Sequence, residues 1–301
     1  MTRVATIPLQ RTMASAISTA QEKLAITQKQ LSTGKKAADF AALGTETVRN
    51  LSAHTLLEQQ KAQSTVSKRV STTMSLYQGH IEGISTSTTD LRKQIMTAIG
   101  TGQSAGLQEA IESSFAQMRA SLNASEGGVP MFAGSQTDQF PFTVNTLADA
   151  ANVPADQAFR DDDVLSTARV ADGVDVTYGI NASSIGKGLY EAFRTLAQAG
   201  QIGSTLTPAN QAALQKAVAQ LDDGTKQLNA VNADNGRKQN QVDDLTQRGD
   251  DRGLLLQQVI QDNEDADLGQ VAVDLAQQKT VLEASYSVFS QLSSLSLVKY
   301  L

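Results

Sequence analysis

The sequence predicts a mainly α protein: an elongated rod of antiparallel long helices with terminal coiled-coil arms and a small β-rich insert. Three observations carry that prediction. Apolar residues recur at intervals of seven near both ends of the chain. The period is lost between Gly127 and about Gly188, where Gly, Pro and Asp cluster. Aromatic residues make up only 4% of the 301, with no Trp, which suits thin helices that each show a narrow apolar stripe.

The elements follow in order. Ile17, Leu24 and Leu31 repeat at seven, with Met13 and Ala20 at the companion spacing, until Gly34 interrupts. From about Thr45 to Ile99 a long helix resumes, and Tyr77, Ile81, Ile84, Leu91 and Ile95 mark its buried stripe. A third helix, Leu107 to Leu122, carries Ile111, Phe115 and Met118 on one side. Within the insert, Arg169 to Ala171 and Val174 to Tyr178 flank Asp172-Gly173 and read as a β-hairpin about an Asp-Gly turn.

Pro208 suits the first turn of a further helix running to about Leu256. Leu214, Leu221, Leu228, Asn235 and Val242 form its seam, where a buried Asn costs stability but fixes register. Gly249 and Gly253 are expected to end or bend it. In the last helix Leu268, Leu275, Leu282 and Phe289 recur at seven, joined by Val271 and Leu292 and interrupted by Gln278 and Ser285. Asp267 followed by Gln270 predicts its N-cap with a reciprocal partner. Both ends of the insert return to the rod, so the terminal helices are expected side by side. The expected division is 1–43 with 260–301 as a terminal coiled coil, 44–137 with 186–259 as a helical rod, and 138–185 as a small outer domain.

Charge and composition exclude several function classes. The net charge of −6 argues against nucleic acid as the main partner. It divides as +4 over residues 1–130, −6 over 131–185 and −4 over 186–301, so the two ends carry opposite sign. There is no Cys, hence no disulfide framework and no thiolate metal site. No stretch of 18 apolar residues exists, so no membrane insertion is expected. The first residues show no Sec-type apolar run, so export would use a route without a cleaved apolar signal.

Candidate chemical motifs fail their context tests. Gly100-x-Gly102-x-x-Ala105 follows an amphipathic helix rather than a strand, so it reads as a helix–helix turn. His54 and His80 are the only histidines, too far apart for one helical face, and read as solvated. Asn263-x-Asp265-x-Asp267 lacks the Gly and the closing Glu of a calcium loop. Asp161 to Asp163 reads as a solvated loop, and Arg248-Gly249-Asp250 as a chance adhesion tripeptide. No convergent set of catalytic groups, cofactor motif or metal ligands emerges, so no enzyme is expected. What stands out is a C-terminal stripe with little of its own chain left to cover it.

The ends also carry a resemblance. Gln28-Lys29-Gln30-Leu31-Ser32-Thr33-Gly34-Lys35-Lys36 resembles the N-terminal motif of the flagellin superfamily, in the form typical of hook-associated protein 3, the FlgL-like hook–filament junction proteins. Met131-Phe132-Ala133-Gly134-Ser135-Gln136-Thr137 with Pro141-Phe142 is similar to that family's Phe-Ala-Gly-x-x-Thr segment. Glu264-Asp265-Ala266-Asp267-Leu268 and Ser294 to Leu301 resemble its C-terminal pattern. Where the family continues with an Asn-Ser-Pro-Ser-Asp-Asp-like stretch, this chain has Ala37-Ala38-Asp39-Phe40-Ala41-Ala42.

The resemblance implies an exported, non-catalytic adaptor of the bacterial flagellum, extracellular and arranged as a homo-oligomeric ring. Its implied partners are another hook-associated protein, flagellin and an export chaperone. The expected assembly interface is Met13, Ile17, Ala20, Leu24 and Leu31 with Leu268, Val271, Leu275, Leu282, Phe289, Leu292, Leu295 and Leu297. Two alternatives stay open: a filament-forming flagellin, and an extracellular binding or adhesion module built on the insert.

Overall fold

The structure, a computed structural model, describes residues 3–294. The chain is mainly α and divides into two compact units, 1–59 with 251–301 and 60–250. The helices are α1 (Arg3–Thr33), α2 (Thr47–Thr101), α3 (Leu107–Leu122), α4 (Leu147–Ala150), α5 (Ala155–Ala158), α6 (Ala182–Gln198), α7 (Pro208–Glu264) and α8 (Leu268–Ser294). A 3-10 helix, Phe40–Glu46, lies in the first linker. Asp39 starts it by accepting the Ala42 N–H at 2.9 Å, so the Ala-rich stretch 37–42 is capped. The strands form two antiparallel ribbons, β1 (Ser125–Glu126) with β2 (Val129–Pro130), and β3 (Ser166–Ala171) with β4 (Val174–Tyr178).

The second unit holds the main core. α2, α3, α6 and α7 bring together Ile81, Leu91, Phe115, Met118, Leu189, Phe193 and Leu221, all buried. Phe115, Phe142, Tyr190 and Phe193 stack edge to face with centroids 5.5–6.0 Å apart. Gly224 lets α7 approach α6 closely, since a Cβ there would lie 2.8 Å from the Leu189 nitrogen. The hairpin β3–β4 turns at Asp172-Gly173, with Gly173 at φ 68°. It packs Val170 and Val176 on Val70, Met74 and Val242.

The seam of α7 is buried throughout: Leu214, Leu221, Leu228, Asn235 and Val242 are all at most 4% exposed. Asn235 is satisfied, because its Nδ2 donates to the Met74 carbonyl at 2.9 Å. Arg92 with Asp222, Ser71 with Asp243 and Ser64 with Asp250 tie α2 to α7.

Three local expectations are corrected. Gly249 and Gly253 do not end α7, which continues to Glu264. Gly249 occupies the next seam position and is buried, and a side chain there would overlap the Gln60 amide. A helical Gly costs about 1 kcal/mol, which the surrounding packing offsets here. Asp161 to Asp163 is a loop with Asp163 exposed, as expected, but its carboxylates are not free: Asp161 binds Ser183, Asp162 binds Ser135 and Gln136, and Asp163 binds Asn181. Finally, helical order resumes at Ala182 rather than at about Gly188, and Gly186 lies on the buried face of α6, packed against Leu122 and Phe159.

Candidate assembly interface

The first unit is built around α1 and α8, which run antiparallel. Lys35 bridges Asp265 at one end, and Gln21 bonds the Tyr286 hydroxyl further along. Met13, Ile17, Ala20 and Leu24 of α1 are half-buried along one stripe, which continues to buried Thr27. Leu31 stands 41% exposed and Gln30 turns inward beside it. On α8, Val271 is buried and Leu275, Leu282 and Phe289 are half-buried, whereas Leu268 is exposed. Leu292 lies in α8 with its side chain outside the described set, and Leu295 and Leu297 lie outside the described residues. Gln278 sits in the same stripe with its Oε1 buried and unpartnered.

α8 also carries a second apolar stripe that heptad reading misses. Val273, Val281 and Val288, spaced eight and seven apart, lie off the first stripe and are 60%, 50% and 42% exposed. A helix apolar on more than one face is ordinarily buried on more than one face. Between α1 and α8 runs a groove of about 880 Å³ lined by Ala16, Ala20, Gln278 and Val281, with Arg11, Lys23 and Asp274 at its edges.

The imbalance extends over the whole unit. Among the described residues, only Ala53, Leu57, Ile260 and Val271 are buried hydrophobics there, against thirty-eight in the second unit. Fourteen large hydrophobics stand exposed, including Leu51, Leu254 and Leu255, against five in the second unit. Among its described residues the first unit thus exposes more large hydrophobics than it buries.

The two linkers meet in a polar clasp. Gly34, at φ 70°, ends α1, and its carbonyl accepts the Ala266 N–H at 2.8 Å. The Lys36 N–H donates to the Glu264 carbonyl at 2.6 Å. Lys35 Nζ lies 2.6 Å from Asp265 Oδ1 and 3.2 Å from Glu264 Oε2. Fully buried Asn50 donates to Glu264 Oε1 at 2.7 Å, and His54 Nε2 meets the same oxygen at 2.5 Å. Burial opposes the Glu264 charge, but the bonds from Asn50, His54 and Lys35 outweigh it and bring the carboxyl down to about 2. The bond to Asp265 raises Lys35 in turn. So His54 is not a solvated residue, and the N- and C-terminal motifs, far apart in sequence, touch here.

The remaining motifs have structural places. Asp267 caps α8 by accepting Gly269 and Gln270 N–H groups at 2.9 and 3.2 Å, while the Gln270 side chain goes to Asp274 rather than back to the cap. Phe132 and Ala133 are buried, and Gly134, at φ 68°, packs so closely on Asp162 that a side chain would overlap it. Bonds from the Ser135 side chain and backbone bring Asp162 down to about 2. Arg248-Gly249-Asp250 lies within α7 with Asp250 held by Ser64 and Lys68, not in a loop. Among the described residues no helix is long and apolar enough to cross a membrane.

No known protein-family profile matches the sequence, and no curated protein matches it. Solved structures do. A flagellar hook-associated protein from Vibrio parahaemolyticus superposes with a TM-score of 0.62 at 17% identity, covering 73% of this chain and 97% of that one. Bacillus cereus FlgL superposes with a TM-score of 0.56 at 14% identity, covering 70% of this chain and 98% of that one. At these identities the likeness is one of architecture: the chain has the fold of these flagellar hook-associated proteins.

Proposed function

We propose that this chain is a non-catalytic structural subunit of the bacterial flagellum, a ring-forming adaptor that joins the hook side to the flagellin filament. One observation carries the reading: the terminal unit exposes more apolar residues than it buries, and α8 offers a second apolar stripe that no part of the described chain covers. Neighbouring subunits in a tube supply such cover. The fold shared with hook-associated proteins supports the same reading.

In this proposal 1–43 with 260–301 form the inner coiled coil, 44–137 with 186–259 the rod, and 138–185 an outward-facing part. The α1 and α8 stripes pair within the subunit, and the Val273–Val288 stripe and the groove meet neighbours. The chain reaches the flagellum by export in an unfolded state, with a chaperone covering the apolar arms.

The test is Leu282→Asp. It should leave the second unit folded by circular dichroism yet abolish filament attachment, giving non-motile cells that shed filaments. Normal motility would sink the proposal. Labelling of isolated flagella separates the nearest alternative: one band between hook and filament fits an adaptor, whereas label along the whole filament fits a flagellin.

A further inference from the structure

A cleft of about 760 Å³ lies between α3 and the segment 138–160, wholly within the second unit. Volumes of this order take small ligands. Arg119 of α3 and Arg160 both line it, and each is held by one neutral contact. Arg119 Nη1 donates to the Asn145 carbonyl at 2.7 Å, and Arg160 Nη1 to Gln139 Oε1 at 3.3 Å. Neither has an ion-pair partner among the described residues.

For Arg160 this is unexpected. Residues 131–185 hold eight acidic side chains and two basic ones. Arg169, the other basic residue, is paired with Asp175. Asp161, Asp162 and Asp163 follow Arg160 directly, but all three turn away to Ser183, Ser135 and Asn181. The fold therefore engages these three carboxylates elsewhere and leaves the Arg160 guanidinium in the cleft lining. Phe140 stands 62% exposed among the lining residues, and Asp138 lines the cleft as well.

We propose that this cleft binds a saccharide bearing a carboxylate, of the oligouronate class. The guanidinium groups of Arg119 and Arg160 offer N–H forks that match a carboxylate. The Phe140 ring gives a flat apolar face for the C–H side of a sugar ring, as aromatic faces carry negative charge and attract C–H groups. The Gln139 and Asn145 amides serve hydroxyls. Asp138 accepts from hydroxyls too. This site is separate from the terminal unit and does not rest on the flagellar proposal.

The test titrates the full chain with trigalacturonate at low salt by calorimetry, beside its methyl ester and a triglutamate peptide. Trigalacturonate should bind saturably and the ester should not. Arg119→Ala and Arg160→Ala should each weaken binding by about tenfold, since each removes a charge-assisted pair. Exposed Phe140→Ala should weaken it by about fivefold without changing the melting temperature, by loss of ring contact. Arg160→Gln replaces Arg160→Ala if the alanine lowers the melting temperature. Absence of saturable binding to the unsubstituted chain, unchanged binding in the arginine variants, or triglutamate binding as tight as trigalacturonate overturns the proposal.

Discussion

Residues 60–250 bury Phe115, Tyr190 and Phe193 almost completely, while residues 1–59 with 251–301 leave Val273, Val281 and Leu255 half exposed or more. Both units are drawn from the same two long helices, α2 and α7, together with segments of their own. The difference lies in what each adds. The second unit adds α3, α6 and an aromatic cluster that close a core in cis. The first adds two helices whose apolar residues exceed what one partner helix can cover. A core closed within the chain makes stability a property of the subunit; a core left open makes it depend on association.

Substitutions should separate the two regimes, and the largest effect belongs to the closed core. Phe193→Ala removes a side chain that is 0% exposed and stacks on Phe115 at 5.5 Å. It should cost about 4 kcal/mol in chemical denaturation of the isolated subunit. A loss below about 1 kcal/mol would mean that the second unit is no better packed than the first.

Asn235 probes the same unit at one polar point. Asn235→Ala leaves the Met74 carbonyl without its side-chain donor and opens a small cavity in the α2–α7 seam. The expected loss is about 1.5 kcal/mol. Asn235→Leu should recover most of that stability, because a well-packed hydrophobe replaces a buried polar group at little cost. If the Asn sets register, the leucine variant should show broadened amide resonances around Met74 despite its stability.

In the first unit the largest single effect should come from the clasp. Glu264 has its carboxyl lowered from 4.5 to about 2. Its contribution is therefore complete above about pH 4.5 and lost as pH falls toward about pH 2. Solvent screening at the rim of the clasp reduces the effect, so Glu264→Gln should cost about 1 kcal/mol at neutral pH. The variant should also flatten the pH dependence of amide exchange in residues 47–59 across that acid window. An unchanged acid slope would show that the clasp contributes no charge-dependent stability.

How much of this was legible follows from what a sequence displays. The seams of α7 and α2 were legible because each buried residue repeats at a fixed helical interval. The hairpin was legible because Asp172-Gly173 supplies the backbone that a tight turn needs. Gly249 misled because a Gly in a seam looks the same as a Gly at a helix end; only the Gln60 amide beside it tells them apart. The clasp was invisible because Lys35, Asn50, His54 and Glu264 come from three segments and each reads as an ordinary surface residue. The partners of Asp161 to Asp163 were missed for a related reason: Ser135, Asn181 and Ser183 lie 18 to 27 residues away. The second stripe of α8 is hard to see in sequence because Val273, Val281 and Val288 are spaced eight and then seven apart, which no single seven-residue register joins.

That second stripe gives the smallest effect on the isolated subunit and the sharpest form of the comparison. Val281 is 50% exposed and touches the groove between α1 and α8. Val281→Glu removes little packing, so the subunit should lose no more than about 0.5 kcal/mol. If the stripe is covered by a neighbour, the same glutamate is buried without a partner in every subunit contact, at a cost of several kcal/mol each. The subunit would then be as stable as before and unable to assemble, as read by analytical ultracentrifugation under assembly conditions and by motility. Wild-type assembly by Val281→Glu would place the stripe in solvent and leave the open core of the terminal unit to be covered through α1 and the first stripe of α8 alone.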